Sequence, residues 1–202
     1  MITLYHAKGT CSLATRIALL EADAPHTVVT LDFASQQQGS PDYLAINPKG
    51  RVPALVTEHG VLTETPALLL YVAQCFPAAQ LAPLGDPFAL ARMQELHSYL
   101  ASTVHVAHAH GRRGMRWADE PSSHADMRRK VTQNMIDCFA VIEQHYLQGP
   151  WVLGTAYSVA DAYLFTVASW LQSDGVDIAQ FPQVHAHTQR MLERPAVQKA
   201  LA

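Results

Sequence analysis

Cys11 is the residue whose chemistry depends most on where it stands. It closes the run Tyr5-His6-Ala7-Lys8-Gly9-Thr10 and is followed by Ser12 and Leu13, which open a helical pattern. A helix N-terminus carries partial positive charge and free N–H groups, both of which favour a thiolate. Cysteine is also among the most buried residue types, so position alone leaves a reactive thiol and a packing residue both open. Position 14 is Ala14, which excludes an internal dithiol three residues on and leaves monothiol chemistry. Ser12, Tyr5 and His6 are neighbouring hydroxyl and imidazole groups able to share that chemistry.

A second group lies further along, with His97, His105, His108 and His110 in one helical stretch. His105 and His108 share a face at i and i+3, but His110 turns away and no acidic or thiol partner follows at ligand spacing. No metal site is expected, and the plain reading is a polar stripe of neutral imidazoles. Next comes Gly111-Arg112-Arg113-Gly114-Met115-Arg116-Trp117, cations beside a large aromatic. It reads either as a pocket wall attracting an anion or as a solvated helix end whose arginines suit the helix dipole. A third feature is Glu64-Thr65-Pro66, where Thr65 is a candidate N-cap and Pro66 a first helical residue, at an end that attracts carboxylates.

The elements that must position these groups fall into two textures. Ile2 to His6 reads as a strand, Ser12 to Ala24 as an amphipathic helix and His26 to Asp32 as a β-branched strand. After a polar, Gln-rich loop around Ser35 to Ser40, Val52 to Val56 and Val61 to Thr63 form a hairpin across Glu58-His59-Gly60, and a helix starts at Thr65-Pro66. The order β-α-β then β-β-α builds one mixed four-stranded sheet carrying helices. Pro77, Pro83, Gly85 and Pro87 suit a linker. Beyond it the chain is helical: Phe88 to about His110, Ala125 to about Leu147, Val159 to Gln172, Val184 to Glu193 and Ala196 to Leu201. Ser158 and Asp161 form a capping box before Val159, in a helix so apolar that it should be central and buried.

Composition narrows the function classes. Of 202 residues, 14 are Lys or Arg and 17 Asp or Glu, a net charge of −3 that argues against a nucleic-acid partner. Hydrophobic residues reach 49% and exclude disorder, whereas charged residues are only 15% against a typical ~25%, so some surface is expected to be covered. The apolar stretches near Ala67 to Ala73 and Ala162 to Leu171 are too short to span a membrane, and no secretory signal is visible. Cys11, Cys75 and Cys138 are too few for a disulfide framework, which points to a cytoplasmic protein with free thiols.

Four segments taken together resemble the glutathione S-transferase family, nearest its bacterial beta class. They are Tyr5 to Leu13, Tyr43 to Leu55 with its Asn47-Pro48-Lys49-Gly50-Arg51-Val52-Pro53, Leu62 to Thr65, and Ser158 to Phe165. The resemblance implies a thioredoxin-like α/β domain over residues 1–76, a linker over 77–87, an all-α domain over 88–202, and a homodimer. It implies glutathione as co-substrate and conjugation to a small hydrophobic electrophile, with Cys11-dependent thiol–disulfide reduction as a variant. A glutathione-binding or structural protein with little catalysis is the alternative.

By the same resemblance Cys11 faces glutathione, and Val52 presents its backbone from a cis Val52-Pro53 bond. Glu64 takes the α-amino group of the γ-glutamyl moiety and Thr65 its carboxylate, at a position where Ser or Gly is usual. His105 approaches Cys11 from the helical domain. The usual next residue is lysine, but here it is Val106, which predicts weaker thiolate stabilisation. His6, Ser12, Tyr99, His108 and Arg112 complete the candidate acceptor pocket.

Overall fold

The computed structural model describes all residues except Gln148. Strands β1 (Ile2–His6), β2 (His26–Thr30), β3 (Ala54–Thr57) and β4 (Gly60–Thr63) form one sheet in the order β2-β1-β3-β4. β1 pairs parallel with β2 and antiparallel with β3, and β3 turns back antiparallel onto β4 with Thr57 opposite Gly60. This is the mixed sheet expected from the order of the elements, and Leu4 and Leu55, paired across β1 and β3, are fully buried.

Helix α1 (Ser12–Glu21) runs back from the end of β1 and ends three residues earlier than the pattern suggested, at a turn where Asp23 takes φ +47. Helix α2 (Pro41–Ile46) lies in a stretch to which the sequence pattern assigned no element. It is short enough to show no period, yet its start is marked. The Ser40 hydroxyl accepts the Tyr43 N–H at 3.2 Å, Pro41 follows the cap, and Asp42 occupies the first turn. Helix α3 (Thr65–Cys75) follows β4.

The helical part begins at α4 (Pro87–Tyr99), capped by Asp86, whose carboxylate accepts the Phe88 and Ala89 N–H groups at 3.0 Å. Helical winding continues beyond Tyr99 but widens to an i to i+5 π-turn over Leu100–Val104, then returns as α5 (His105–Ala109). The expected single long helix therefore contains one wide turn directly before His105. Helix α6 (Pro121–His145) starts four residues ahead of expectation, with Pro121 in its first turn. The remaining helices are α7 (Val159–Ala168), α8 (Pro182–Leu192) and α9 (Pro195–Leu201).

All ten residues of α7 are buried, as its all-round apolar pattern required. It packs on α1, α3, α4 and α8, so one helix contacts both layers of the protein. Asp161, fully buried, fixes its start. One carboxylate oxygen accepts the Ser158 N–H at 2.8 Å, and the other accepts the Val152 N–H at 2.8 Å and the His187 Nε2–H at 3.0 Å. A second tie joins the two parts where Arg194, over the face of Tyr157 at 3.7 Å, donates a two-pronged bond to Glu21 at 2.6 and 2.8 Å.

The capping box thus carries more than a cap. Ser158→Ala removes one neutral cap and should cost about 1 kcal/mol. Asp161→Ala leaves the buried Ser158 and His187 donors and the half-buried Val152 N–H without their acceptor and should cost ~3 kcal/mol or more in urea unfolding. Equal losses for the two variants would show that Asp161 is only a helix cap.

Candidate active site

The cleft between the sheet part and the helices is built from five stretches of chain. The first is the turn from β1 into α1. Cys11 is the residue before the first helical position, and its side chain is 7% exposed. Its Sγ lies 3.5 Å from the Val52 carbonyl oxygen and donates to it. Burial pushes the thiol above its ordinary pKa, against smaller downward pulls from the facing Thr65 hydroxyl and the Arg113 charge. Helix-end electrostatics, read from sequence, pointed to a thiolate. In the folded chain, desolvation outweighs it and Cys11 is held as a thiol.

The second stretch is the loop between α2 and β3. Gly50 takes φ +60, and a Cβ there would stand 3.1 Å from the Gln38 carbonyl oxygen, so this turn requires glycine. The Arg51 carbonyl accepts from the Asn47 side-chain amide and the Tyr43 hydroxyl, both at 2.6 Å, which pins the following residues. The Val52-Pro53 bond is cis, as the resemblance implied.

The third is the start of α3. The preceding residue, and hence the cap position, is Glu64 rather than Thr65, and Glu64 sits at φ +72, a conformation that a non-glycine residue holds only under constraint. Thr65 is buried within the first turn, so its hydroxyl is not used as a cap and faces Cys11. The exposed Glu64 carboxylate accepts from Lys49 Nζ at 2.6 Å.

The fourth is the helical wall. Ala101 in the π-turn, with His105, Val106 and Ala109 after it, lines the same cavity as Cys11, Val52, Pro53, Glu64 and Thr65. Burial lowers the His105 pKa to about 4, assisted by the charges of Arg113, His108, Arg51 and Arg116. His105 is accordingly neutral at pH 7. Its ring lies 4.9 Å from Trp170, and Trp170 stacks on His108 at 4.5 Å. His108 Nδ1 is taken by both Asp174 oxygens, at 2.7 and 3.0 Å.

The fifth is the segment after α5. Arg113 and Arg116 line the cleft, and Arg112 lines its outer part with His108. Val106 stands where the resemblance leads one to expect lysine, yet positive charge reaches Cys11 and His105 from Arg113, and His105 also from Arg51 and Arg116.

Three expected pocket residues do not reach the cleft. Ser12 is fully buried, accepts the Ala7 N–H at 3.2 Å and bonds to Thr10 Oγ1 at 2.6 Å and His6 Nδ1 at 2.7 Å. His6 and Ser12 therefore brace the turn from β1 to α1 from inside. Tyr99 stacks on Tyr146 at 5.8 Å and its hydroxyl points to the Cys138 carbonyl, towards α6. Tyr163, conversely, lines the cleft beside Cys11 with its ring 1% exposed. Its phenol pKa is raised by burial and then by Cys11 and Glu64. The signal for it was a hydroxyl-bearing ring inside an otherwise apolar helix.

The family described as glutathione S-transferase, N-terminal domain, matches residues 1–74, and that described as glutathione S-transferase, C-terminal domain, matches residues 87–190. The chain belongs to the glutathione S-transferase family. That family's usual activity is conjugation of glutathione. The transferase is 31% identical over 201 residues to glutathione S-transferase GstA of Escherichia coli O157:H7, covering 98% of this chain and 96% of the relative. It superposes with a TM-score of 0.97 and 50% identity on a glutathione transferase homologue from Sulfitobacter solved with bound glutathione, over 100% and 97% of the two chains. With the beta class enzyme of Sphingomonas chungbukensis it shares 32% identity at a TM-score of 0.84, over 98% and 96%.

Three histidines of the transferase, His6, His97 and His105, have their pKa lowered to about 4, in each case mainly by burial. The unfolded chain takes up those protons near pH 6.5. Between these values the unfolded state binds more protons, so stability is full above about pH 6.5 and is lost as pH falls towards about 4. Urea midpoints should drop from pH 7.5 to pH 5. A midpoint that is flat or rises over this range would contradict the buried neutral imidazoles.

Proposed function

We propose that this chain binds glutathione across the cis Val52-Pro53 segment and conjugates it to an electrophile held against the helical wall. The observation that carries this is a single cavity lined by Cys11, Val52, Pro53, Glu64, Thr65 and His105, with both parts of the chain contributing. The Val52 backbone suits the cysteinyl part of the tripeptide, in a short strand-like contact. Thr65 and the N-terminus of α3 suit the γ-glutamyl carboxylate, and Glu64, beside Lys49, the α-amino group.

In this reading the neutral His105 takes the thiol proton, and the Cys11 S–H donates a hydrogen bond to the resulting sulfur anion. Cys11 then acts as a donor, as other groups do in a thiolate hole, and its burial as a thiol favours that role over attack on a disulfide. The sulfur anion attacks the electrophilic carbon, and the protein's share is to hold the two together and to favour the ionised sulfur.

We also assign the chain to detoxification in the cytoplasm, as a homodimer, and divide it into a domain over 1–76, a linker over 77–87 and a domain over 88–202. Cys11, Cys75 and Cys138 are free thiols, which fits a reducing compartment. Among the described residues no helix is long and apolar enough to cross a membrane. Phe88 is 77% exposed at the start of α4, and Val61 and Leu62 are exposed on the edge strand β4, apolar surface that a second copy would cover.

The test is calorimetric binding of glutathione together with conjugation of a chlorodinitrobenzene, in wild type and three variants. Thr65→Ala should raise the KM for glutathione about tenfold with little change in kcat. His105→Ala should lower kcat by about 100-fold. Cys11→Ala should keep measurable conjugation. Absence of glutathione binding would end the proposal. Binding without turnover on any electrophile would favour a glutathione-binding protein, and a monomer by light scattering would remove the dimer.

A further inference from the structure

Beside the glutathione cavity the cleft widens into a second space of about 320 Å³, reaching from Cys11 and Val52 to Trp170. Its walls supply apolar surface from Phe33, Met115 and Trp170, and no acidic residue lines it among those described. What it does have is Arg51, Arg112, Arg113 and Arg116, together with His105 and His108.

The other arginines of the chain, Arg16, Arg92, Arg128, Arg129, Arg190 and Arg194, each donate to a carboxylate or a carbonyl oxygen. Here, among the described residues, none of the four lies within ion-pair distance of a carboxylate, and none of their guanidinium groups donates to a protein oxygen. The ion pairs among the described residues use other cations: Lys49–Glu64, Glu58–His59, Arg92–Glu95, Asp126–Arg129, Asp161–His187, Glu21–Arg194 and His108–Asp174. Asp174, which lines a neighbouring pocket with Arg112, is committed to His108, and Thr132 holds its backbone by donating to the Asp174 carbonyl at 2.7 Å. The cations also oppose one another. The Arg116 pKa is lowered by burial and then by Arg51 and Arg113.

Glutathione satisfies only part of this charge. Its γ-glutamyl end belongs at Glu64 and Thr65, so one carboxylate, that of the glycyl end, remains; Arg51 and Arg116 line both spaces and Arg112 and Arg113 the second alone, and we place that carboxylate on Arg51. With Arg51 so occupied, Arg113 and Arg116 face the acceptor with no counter-charge.

We propose that the acceptor site selects an anionic electrophile, an apolar or aromatic body carrying a carboxylate, with Arg113 and Arg116 on the carboxylate and Trp170 against the body. This rests on the transferase reading and narrows its substrate class. For an activated aryl chloride the step balances directly. The glutathione sulfur forms a bond to the ring carbon, the carbon–chlorine bond breaks, chloride leaves with the electron pair, and the thiol proton passes to His105 and then to solvent. The arginines take no part in that exchange. They hold the acceptor, and the positive field they set up also draws the anion in at low salt.

The test pairs an acid with its uncharged ester. Dinitrobenzoate and methyl dinitrobenzoate, which cannot be conjugated by chloride loss, are titrated calorimetrically into the wild type, with and without glutathione. Chlorodinitrobenzoate and its methyl ester are compared as substrates. The acid should bind about tenfold more tightly than the ester and show a correspondingly higher kcat/KM, falling as salt is raised. In the Arg113→Gln/Arg116→Gln variant the acid-to-ester ratio, of affinity and of kcat/KM, should fall to about one, a ratio in which any change these charges make at Cys11 and His105 cancels, while glutathione still binds. Equal affinity for acid and ester in the wild type overturns the proposal, as does a variant that loses glutathione along with the acid, which would put these arginines on the tripeptide. Failure of the transferase reading shows separately, as an absence of heat on adding glutathione alone.

Discussion

The carboxylate of Asp161 accepts N–H groups from three separate places: Ser158 at the head of its own helix, Val152 in the preceding turn and His187 in α8. It does so with no access to water, so each bond replaces one that solvent would otherwise make and none can be dropped cheaply. The geometry of the cleft hangs on this point. Asp161 sets where α7 begins; α7 carries Tyr163 to Cys11 on one side and leads to Trp170, against which His105 and His108 lie, on the other. A shift of α7 would move both walls at once.

Burial, more than the helix dipole, decides which groups at the cleft are charged. Cys11 is held as a thiol and His105 as a neutral imidazole because each has lost most of its water. The fixed charges are guanidinium groups, which stay protonated under the same treatment. A division of charge follows: Cys11 and His105 are neutral where they line the cleft, and its permanent charges are cations.

Much of this was legible in the chain. The period changes of the first 75 residues, the Ser158–Asp161 box and the apolar run behind it define the sheet order and the central helix because they are local signals with local causes. Val52-Pro53 and Glu64-Thr65 were legible only as motifs, since nothing in their composition specifies a cis bond or a φ of +72. What escaped were outcomes of packing. Helix propensity at Cys11 is visible, but its burial is not. His6 and Ser12 look like cleft residues until the turn closes over them, and Tyr99 is turned towards α6. The π-turn at Leu100–Val104 is invisible to a 3.6-residue count, which can only extend or stop a helix.

That wide turn gives the helix one residue more than a regular helix of the same course would need. Removing a residue within it would restore ordinary winding and leave everything beyond facing nearly as before, whereas removing one from the regular helix before it would turn everything beyond by roughly 100°. In that second case His105, Val106 and Ala109 would leave the cleft together, and a different set of side chains would enter from the same stretch of chain. Length in this one helix is therefore a coordinate of specificity in its own right. Two transferases that differ there by a single insertion present the same wall where a wide turn absorbs it and unlike walls where none does, while every flanking residue is the same.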